Sequence, residues 1–259
     1  MSTILFDKIV FGPIHSRRLG ISLGINLLPT DGKLCSFDCV YCECGLNADH
    51  HTHTKQPTRQ EVNEALTFTL KKMRVDGVAP DVITFAGNGE PTLHPDFGRI
   101  IEDTLATRDA FCPSAKVAVL SNATMLHRKD VFQALNKVED NILKLDSVLD
   151  RRIQQINAPN LPHFSCQSLV EQLCRFQGNL IIQTMFLKGE VNGESVNNMT
   201  EEEISGWLAV LQRIQPKQVM IYTIDRETPV KELRKASKEE LDGIAERARG
   251  QGFDVTVSY

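Results

Sequence analysis

The chain has no run of the roughly 18 consecutive apolar residues that a membrane-spanning helix requires, so we expect no membrane role. Its first residues, MSTILFDKIVFG, carry no basic leader, and Asp7 and Lys8 interrupt their apolar stretch, which predicts no signal peptide. Positive charge is not in excess either. The formal net charge is −4, which gives no overall attraction to nucleic acid. With 41% hydrophobic and 24% charged residues, the composition is that of a soluble globular protein.

Linkers, low-complexity tracts and breaks in composition are also missing over the 259 residues, which predicts a single domain over 1–259. Such a chain is long enough to bury a core of its own. Within it, short apolar strands alternate with amphipathic helices. Strands are predicted at 20–28, 81–86, 116–120, 141–145, 180–186, 218–223 and 253–258. Helices are predicted at 58–73, 97–105, 128–137, 149–157 and 165–176, and after Thr200 and Ser237, with a polar loop at 187–198.

Six strand–helix units in succession indicate a parallel sheet with helical crossovers. A doubly wound sheet and a barrel both fit this pattern, and periodicity does not choose between them.

The seven cysteines are unevenly spread, and four fall within ten residues: Cys35, Cys39, Cys42 and Cys44. Four cysteines this close cannot staple a fold, so a reducing cytoplasm is favoured over a secreted disulfide scaffold. A zinc knuckle would need a second cysteine pair a dozen or more residues away, and none has that spacing. Three thiolates on a tight loop suit a cubane iron–sulfur cluster in which one iron has no protein ligand.

Two motifs carry a resemblance to a known family. The cysteine motif CSFDCVYC follows a strand, and GNGEP (87–91) ends the second predicted strand. Together, in this order, they resemble the radical SAM superfamily. The segments GPIHSRRLGISLGIN, KLDS, LKGEVNGES and YTIDRET resemble its short wyosine-synthetase-like or iron–sulfur oxidoreductase group. Asn88 stands where many relatives have glycine.

The resemblance implies a fold and a cofactor. The fold is a partial (β/α)6 TIM-like barrel over 20–259 with a short N-terminal extension over 1–19, and its site lies at the C-terminal ends of the strands. Cys35, Cys39 and Cys42 would ligate a 4Fe-4S cluster whose open iron binds S-adenosylmethionine. An electron from a donor such as flavodoxin or ferredoxin would cleave the sulfonium, giving a 5′-deoxyadenosyl radical that abstracts hydrogen from a substrate.

Further residues are implied as contacts to S-adenosylmethionine. Glu90, Asn88, Gly89 and Pro91 belong to the turn expected to hold the methionine amino group. Polar residues at strand ends are candidates for ribose and carboxylate contacts, although any of them could cap a helix: Ser121, Asn122, Lys144, Asp146 and Gln183. Tyr41 and Ile224 would contact the adenine, and core packing is the alternative for Tyr41.

Other residues have two interpretations. Cys44 could be a fourth ligand, whereas Cys112, Cys166 and Cys174 read as buried apolar side chains. Substrate contact and ordinary salt bridging are both open for His15, Arg17, Arg18 and Arg226. The histidine-rich loop at 50–53 reads as a solvated loop rather than a metal site.

Radical chemistry leaves the substrate class open among RNA modification, peptide or protein modification, and activation of a glycyl-radical enzyme. Because the chain leaves no spare domain to cover a radical site, we expect a macromolecular substrate or a partner subunit to do so. The polar segments 46–57 and 187–199 are candidates to contact it. The alternative is a non-catalytic iron–sulfur electron carrier or a zinc-stabilised binding module, for which GNGEP would have no use.

Overall fold

A computed structural model describes residues 4–16, 19–49 and 52–259. Strands β1 to β11 are Val10–Ser16, Gly20–Ile25, Val82–Phe85, Lys116–Ser121, Asp140–Lys144, Ile181–Met185, Leu187–Val191, Glu194–Asn197, Gln218–Tyr222, Arg234–Lys235 and Val255–Ser258. Helices α1 to α7 are Arg59–Val75, Phe97–Phe111, Lys129–Leu135, Asp150–Ile156, Cys166–Cys174, Glu201–Ile214 and Lys238–Arg249. Every predicted strand and helix is present, with most ends shifted by one to three residues and the helix predicted at 97–105 extending to Phe111. None of the helices in the described ranges has both the length and the apolar character to cross a membrane.

The described residues form two compact units. The N-terminal unit comprises the described residues of Leu5–Cys35 and Asn47–Asn141. The C-terminal unit comprises Ile4, Ser36–Leu46 and Ile142–Tyr259, so that the chain crosses between the units within β5. The prediction of one domain over 1–259 stays a prediction.

The N-terminal unit contains β1, β2, β3 and β4 in that order. Strands β2, β3 and β4 run parallel and are buried, as their apolar runs predict. Strand β1 lies within the predicted N-terminal extension over 1–19, was not itself predicted, and pairs antiparallel with β2. Its signal is weak in the sequence because Gly12 and Pro13 break the alternation, and the register shifts between Phe11 and Ile14. Proline is tolerated in such an edge strand because its missing N–H need not pair.

Helix α1 packs one face inward, as its 3.6-residue period predicts. Val62, Leu66 and Leu70 are buried on that face. Thr58 begins the helix in a capping box, in which its side chain accepts from the Glu61 amide while the Glu61 carboxylate accepts from the Thr58 amide.

The C-terminal unit holds β5, β6, β9 and β11, which run parallel to one another. The in-register pairing places Lys144 on β5 beside Gln183 on β6. Trp207 on α6 is buried with its ring edge-on to Phe186, and its indole N–H donates to Thr184 Oγ1 at 3.0 Å.

The prediction of a loop at 187–198 is wrong, because this segment forms the hairpin β7–β8. Strand β10 adds a third strand to it. Asn192 and Gly193 at its turn have φ angles of 52° and 78°. An Asn-Gly pair with two positive φ angles is the commonest two-residue hairpin connection. The hairpin was missed because its strands are polar, with only Leu187 and Val196 buried.

Candidate functional site

The GNGEP turn is hydrogen-bonded to the beginning of the cysteine loop within the N-terminal unit. The Leu34 amide donates to the Asn88 carbonyl at 2.9 Å, and the Glu90 amide donates to the Leu34 carbonyl at 3.1 Å. Gly89 lies between these bonds with φ of +135°, in the region that favours glycine. A Cβ at Gly89 would lie 2.0 Å from the Leu34 carbonyl oxygen. The backbone of the turn therefore determines where Cys35, the next residue, begins its loop.

Asn88, which stands where the family resemblance implies glycine, is fully buried, and its side chain makes bonds that glycine could not. Its Oδ1 accepts from the Phe6 amide at 2.8 Å, and its Nδ2 donates to the carbonyls of Phe6 and Pro29 at 3.0 and 2.8 Å. The backbone N–H of Asn88 also donates to Asn26 Oδ1 at 3.1 Å. Asn88 thus joins the N-terminal segment and the end of the first parallel strand to the turn.

The Glu90 carboxylate lies buried among four donors, in what we call the Glu90 cluster: Glu90, Thr92, Ser121, Asn122 and Cys35. Glu90 begins a short 3₁₀ helix, and Thr92 donates to its Oε1 from both the amide and the hydroxyl. Ser121 Oγ donates to Oε1 and the Asn122 amide to Oε2, both at 2.7 Å. Burial raises the pKa of Glu90 above 4.5, and these four donors oppose that rise.

Asn122 links this carboxylate to a cysteine. While its amide N–H bonds Glu90, its side-chain Nδ2 donates to Cys35 Sγ at 3.7 Å. Three predicted site residues, Ser121, Asn122 and Glu90, therefore meet at the C-terminal end of β4, together with the first cysteine of the motif.

A second buried group lies in the C-terminal unit, and we call it the Asp146 cluster: Tyr41, Lys144, Asp146, Asn157 and Cys39. The Tyr41 hydroxyl donates to Asp146 Oδ2 and accepts from Lys144 Nζ at 2.6 Å. Asn157 Nδ2 donates to Asp146 Oδ2 at 2.7 Å and to Cys39 Sγ at 3.4 Å. Three more predicted residues, Tyr41, Lys144 and Asp146, thus come together beside a motif cysteine.

Burial and neighbouring charges shift the pKa values of three residues of the Asp146 cluster: Lys144, Tyr41 and Cys39. Burial, the largest single influence, would lower the pKa of Lys144, but the Asp146 carboxylate 3.4 Å away, together with Tyr222 and Cys39, raises that pKa above its ordinary value. Burial, reinforced by the same carboxylate, raises the pKa of Tyr41 well above 10. Burial raises the pKa of the Cys39 thiol, which the Lys144 ammonium opposes. The half-buried Lys144 and the buried Asp146 therefore form an ion pair, and the neutral Tyr41 hydroxyl is hydrogen-bonded to both.

Asn157 is a site residue that the sequence did not reveal. The C-terminal end of α4 runs along the cysteine loop, where the Asp38 amide donates to the Asn157 carbonyl at 2.8 Å and the Val40 amide to the Ile156 carbonyl at 2.9 Å. From the sequence, an asparagine at the end of predicted helical turns reads only as a cap. Its partner Cys39 is 118 residues away along the chain, so no local signal connects them.

The other residues predicted to contact the cofactor, and the cysteines outside the cluster motif, differ in how far they are buried. Pro91 and Gln183 are buried, whereas Ile224 is half-buried after β9. The seven cysteines, all within the described residues, form no disulfide. Cys112 and Cys166 are buried as predicted, but Cys174 is partly exposed because it ends α5, where its thiol donates to the Arg213 carbonyl.

The basic residues and the histidine-rich loop are only partly described. Arg226 pairs with Glu43 at 2.6 Å, so the salt-bridge interpretation is observed for it, and His15 is exposed on β1. Arg17, Arg18, His50 and His51 lie outside the described residues. The His53 amide donates to Asp31 at 2.7 Å.

The residues around the motif cysteines bear on whether they suit the 4Fe-4S cluster that the motif implies. In the described ranges, no three histidine, cysteine or acidic side chains form a group suited to a single metal ion. A cubane differs because each thiolate binds a different iron, so its ligands need not converge on one point. Neither Cys35 nor Cys39 forms a disulfide, and each sulfur accepts a side-chain amide N–H within its own unit, which suits a thiolate ligand.

Solved structures identify the fold. A radical SAM methyltransferase from Sphaerobacter thermophilus superposes with a TM-score of 0.66 and 14% identity over 92% of this chain and 66% of its own. SuiB from Streptococcus suis, bound to S-adenosylmethionine, gives 0.64 and 12% over 90% and 50%. TYW1 with a lysine-pyruvate adduct gives 0.60 and 15% over 88% and 73%. The chain has the radical SAM fold, and the predicted α/β partial-barrel class is confirmed.

Sequence relatives identify the family. A UPF0026 protein of Helicobacter pylori is 31% identical over 237 residues, 90% of this chain and 71% of that relative. The chain belongs to the UPF0026 family. A protein named GTPase Obg of Brachyspira hyodysenteriae is 29% identical over 92% of this chain, which spans only 33% of that relative. This chain has no G-x4-G-K-S/T motif, so that match adds no argument for GTP binding. No family model matches.

We expect Asn88→Gly to lower the free energy of unfolding by about 1–3 kcal/mol, because it removes the side-chain bonds to Phe6 and Pro29. Urea unfolding measures the loss. Amide hydrogen exchange should show Phe6 deprotected, whereas Asn26, whose amide donates to the Ile9 carbonyl, should keep its protection. An unchanged Phe6 exchange rate would contradict this role of Asn88.

Proposed function

We propose that this protein is a radical SAM enzyme, in which a 4Fe-4S cluster and S-adenosylmethionine initiate hydrogen abstraction from a substrate. One observation carries the proposal: the GNGEP turn is hydrogen-bonded through Leu34 to the start of the Cys-x3-Cys-x2-Cys loop. An electron carrier or a zinc module needs the cysteines but has no use for this buried turn. These bonds support the proposal that the turn and the first cysteine of the motif serve the same function.

We assign the cluster to Cys35, Cys39 and Cys42. The bound cluster would supply the electron that cleaves the sulfonium of S-adenosylmethionine to a 5′-deoxyadenosyl radical. The chain's part is to bind and orient. Asn88, Gly89, Glu90 and Pro91 form the turn assigned to the methionine end, where the buried Glu90 holds the ends of β3 and β4 together through Ser121 and Asn122.

The other cofactor contacts remain assignments within the same proposal. Lys144 ends β5, Asp146 follows that strand, and Gln183 lies in the middle of β6; these three are candidates for the ribose and carboxylate. Tyr41 and Ile224 are candidates for the adenine. The electron would come from flavodoxin or ferredoxin. A reducing cytoplasm is part of the proposal because it suits a thiolate-bound cluster and seven cysteines that form no disulfide.

The substrate is proposed to be macromolecular, a protein, a peptide or an RNA. SuiB, which shares the fold with a TM-score of 0.63, has been solved bound to its precursor peptide SuiA. In this chain the hairpin β7–β8 and residues 231–234 line an open cavity of about 550 Å3. Lys188, Lys231 and Arg234 alternate there with Glu190 and Glu232, which suits a polar chain more than a small apolar metabolite.

Iron content tests the cluster assignment. Protein reconstituted without oxygen should hold roughly four irons and four sulfides, as one cubane does. Cys39→Ala should abolish this iron because it removes a ligand, whereas Cys166→Ala, at a buried thiol that begins α5, should retain it. Zinc in place of iron, or roughly eight irons per chain, would show that the assignment is wrong.

Affinity for S-adenosylmethionine tests the role of Glu90. Glu90→Gln should weaken binding roughly 10-fold or more, because it removes the charge and places an amide against the Asn122 N–H. Calorimetry on cluster-loaded protein measures this change. Glu203→Gln is the matched control. Glu203 lies on α6, is as buried as Glu90, and its carboxylate is bonded to Ser147 and Arg152. Equal affinity losses in both variants would reduce Glu90 to a general structural role.

A further inference from the structure

We infer that Asn157 is a positioning residue for the iron–sulfur cluster, which donates an N–H to the Cys39 sulfur and thereby raises the cluster's reduction potential. This inference rests on the proposed function, because it takes Cys39 to be a cluster ligand. Its geometric basis is the 3.4 Å separation of Asn157 Nδ2 from Cys39 Sγ, within hydrogen-bond range for sulfur. Both residues belong to the C-terminal unit.

The chemistry of Asp146 determines which way the Asn157 amide points. An ionised carboxylate only accepts hydrogen bonds, so the group 2.7 Å from Asp146 Oδ2 must be the amide nitrogen and not its oxygen. Lys144 Nζ lies 3.4 Å from the same oxygen in an ion pair and also donates to the Tyr41 hydroxyl. The amide nitrogen has two hydrogens. With one on Asp146, the second is available to the sulfur.

The amide is also held rigidly. Asn157 is 1% exposed and caps the C-terminal end of α4, where its own amide donates to the Ile153 carbonyl at 2.8 Å. Its carbonyl accepts from the Asp38 amide, which fixes the backbone one residue before Cys39. The other carboxylate oxygen of Asp146 accepts from the Met185 amide at 2.9 Å on β6. Donor, sulfur and carboxylate are therefore fixed by α4, the cysteine loop and the strands.

A fixed N–H beside a ligand sulfur acts on the two oxidation states unequally. The reduced cluster places more negative charge on its sulfurs, so the N–H stabilises it more than the oxidised form, which raises the reduction potential. Burial strengthens the effect because little water competes with the amide. The network from Lys144 through Asp146 to Asn157 thus serves to direct one N–H at one thiolate.

The test is the midpoint potential of the cluster in Asn157→Leu, a change of similar shape that removes the donor. Reconstituted proteins without S-adenosylmethionine are titrated against mediators and followed by electron paramagnetic resonance. At a fixed ambient potential we expect the ratio of reduced to oxidised cluster to fall about 10-fold, a shift of about 59 mV for one electron. Asn157→Ser, too short to span Asp146 and Cys39, should shift the potential in the same direction.

Asn198→Leu is the matched control. Asn198 is likewise 1% exposed and donates to the backbone carbonyl of Asp146 at 2.7 Å, with its other donor hydrogen directed to Met185. It should lower stability and leave the potential unchanged. An unshifted potential in Asn157→Leu at wild-type iron content, or an equal shift in Asn198→Leu, would overturn the inference. So would iron loss confined to both Asn157 variants, which would make Asn157 an assembly residue. Absence of iron from the wild type would instead refute the proposed function.

Discussion

The position of the cysteine loop relative to the GNGEP turn depends on the backbone pairing of Leu34 with the segment Asn88–Glu90. The pairing requires a residue without a side chain at Gly89, because any Cβ there would overlap the Leu34 carbonyl. Through this pairing, the turn that follows β3 determines where the cysteine loop begins after the neighbouring strand β2. The Asn88 side chain extends the constraint to the N-terminal segment through Phe6 and to Pro29. The turn therefore has a structural function in this unit in addition to the proposed contact with S-adenosylmethionine.

Each unit uses a buried carboxylate to fix groups next to a motif cysteine. Glu90 accepts four bonds and orients Asn122 toward Cys35, while Asp146 accepts from Tyr41 and orients Asn157 toward Cys39. Burying a carboxylate is costly unless donors or an opposite charge compensate, and both carboxylates have such partners. With their oxygens occupied in this way, Glu90 and Asp146 are suited to orienting neighbours more than to transferring protons.

Local sequence patterns predicted the helices and strands, but they could not predict contacts between residues that lie far apart in the sequence. Buried apolar runs such as 116–120 identify strands, and the Thr58–Glu61 spacing identifies a helix start. Gly12 and Pro13 obscured β1, and polar strands obscured the hairpin, although its Asn-Gly turn was a usable signal. Sequence motifs named Cys35 and Glu90, whereas the role of Asn157 comes from a contact that only the folded chain forms.

The radical SAM fold and the UPF0026 family are established by the comparisons, and the chemistry is the central claim. It is tested most directly by 5′-deoxyadenosine formation. Cluster-loaded, reduced protein is offered S-adenosylmethionine with macromolecular or small-metabolite fractions of extract from its own source, and a Cys42→Ala protein treated identically is the control. We expect 5′-deoxyadenosine to form above the control level and to rise further with a macromolecular fraction. Cluster-loaded protein that forms none with any fraction would contradict the radical mechanism, and stimulation by small metabolites alone would contradict the macromolecular substrate.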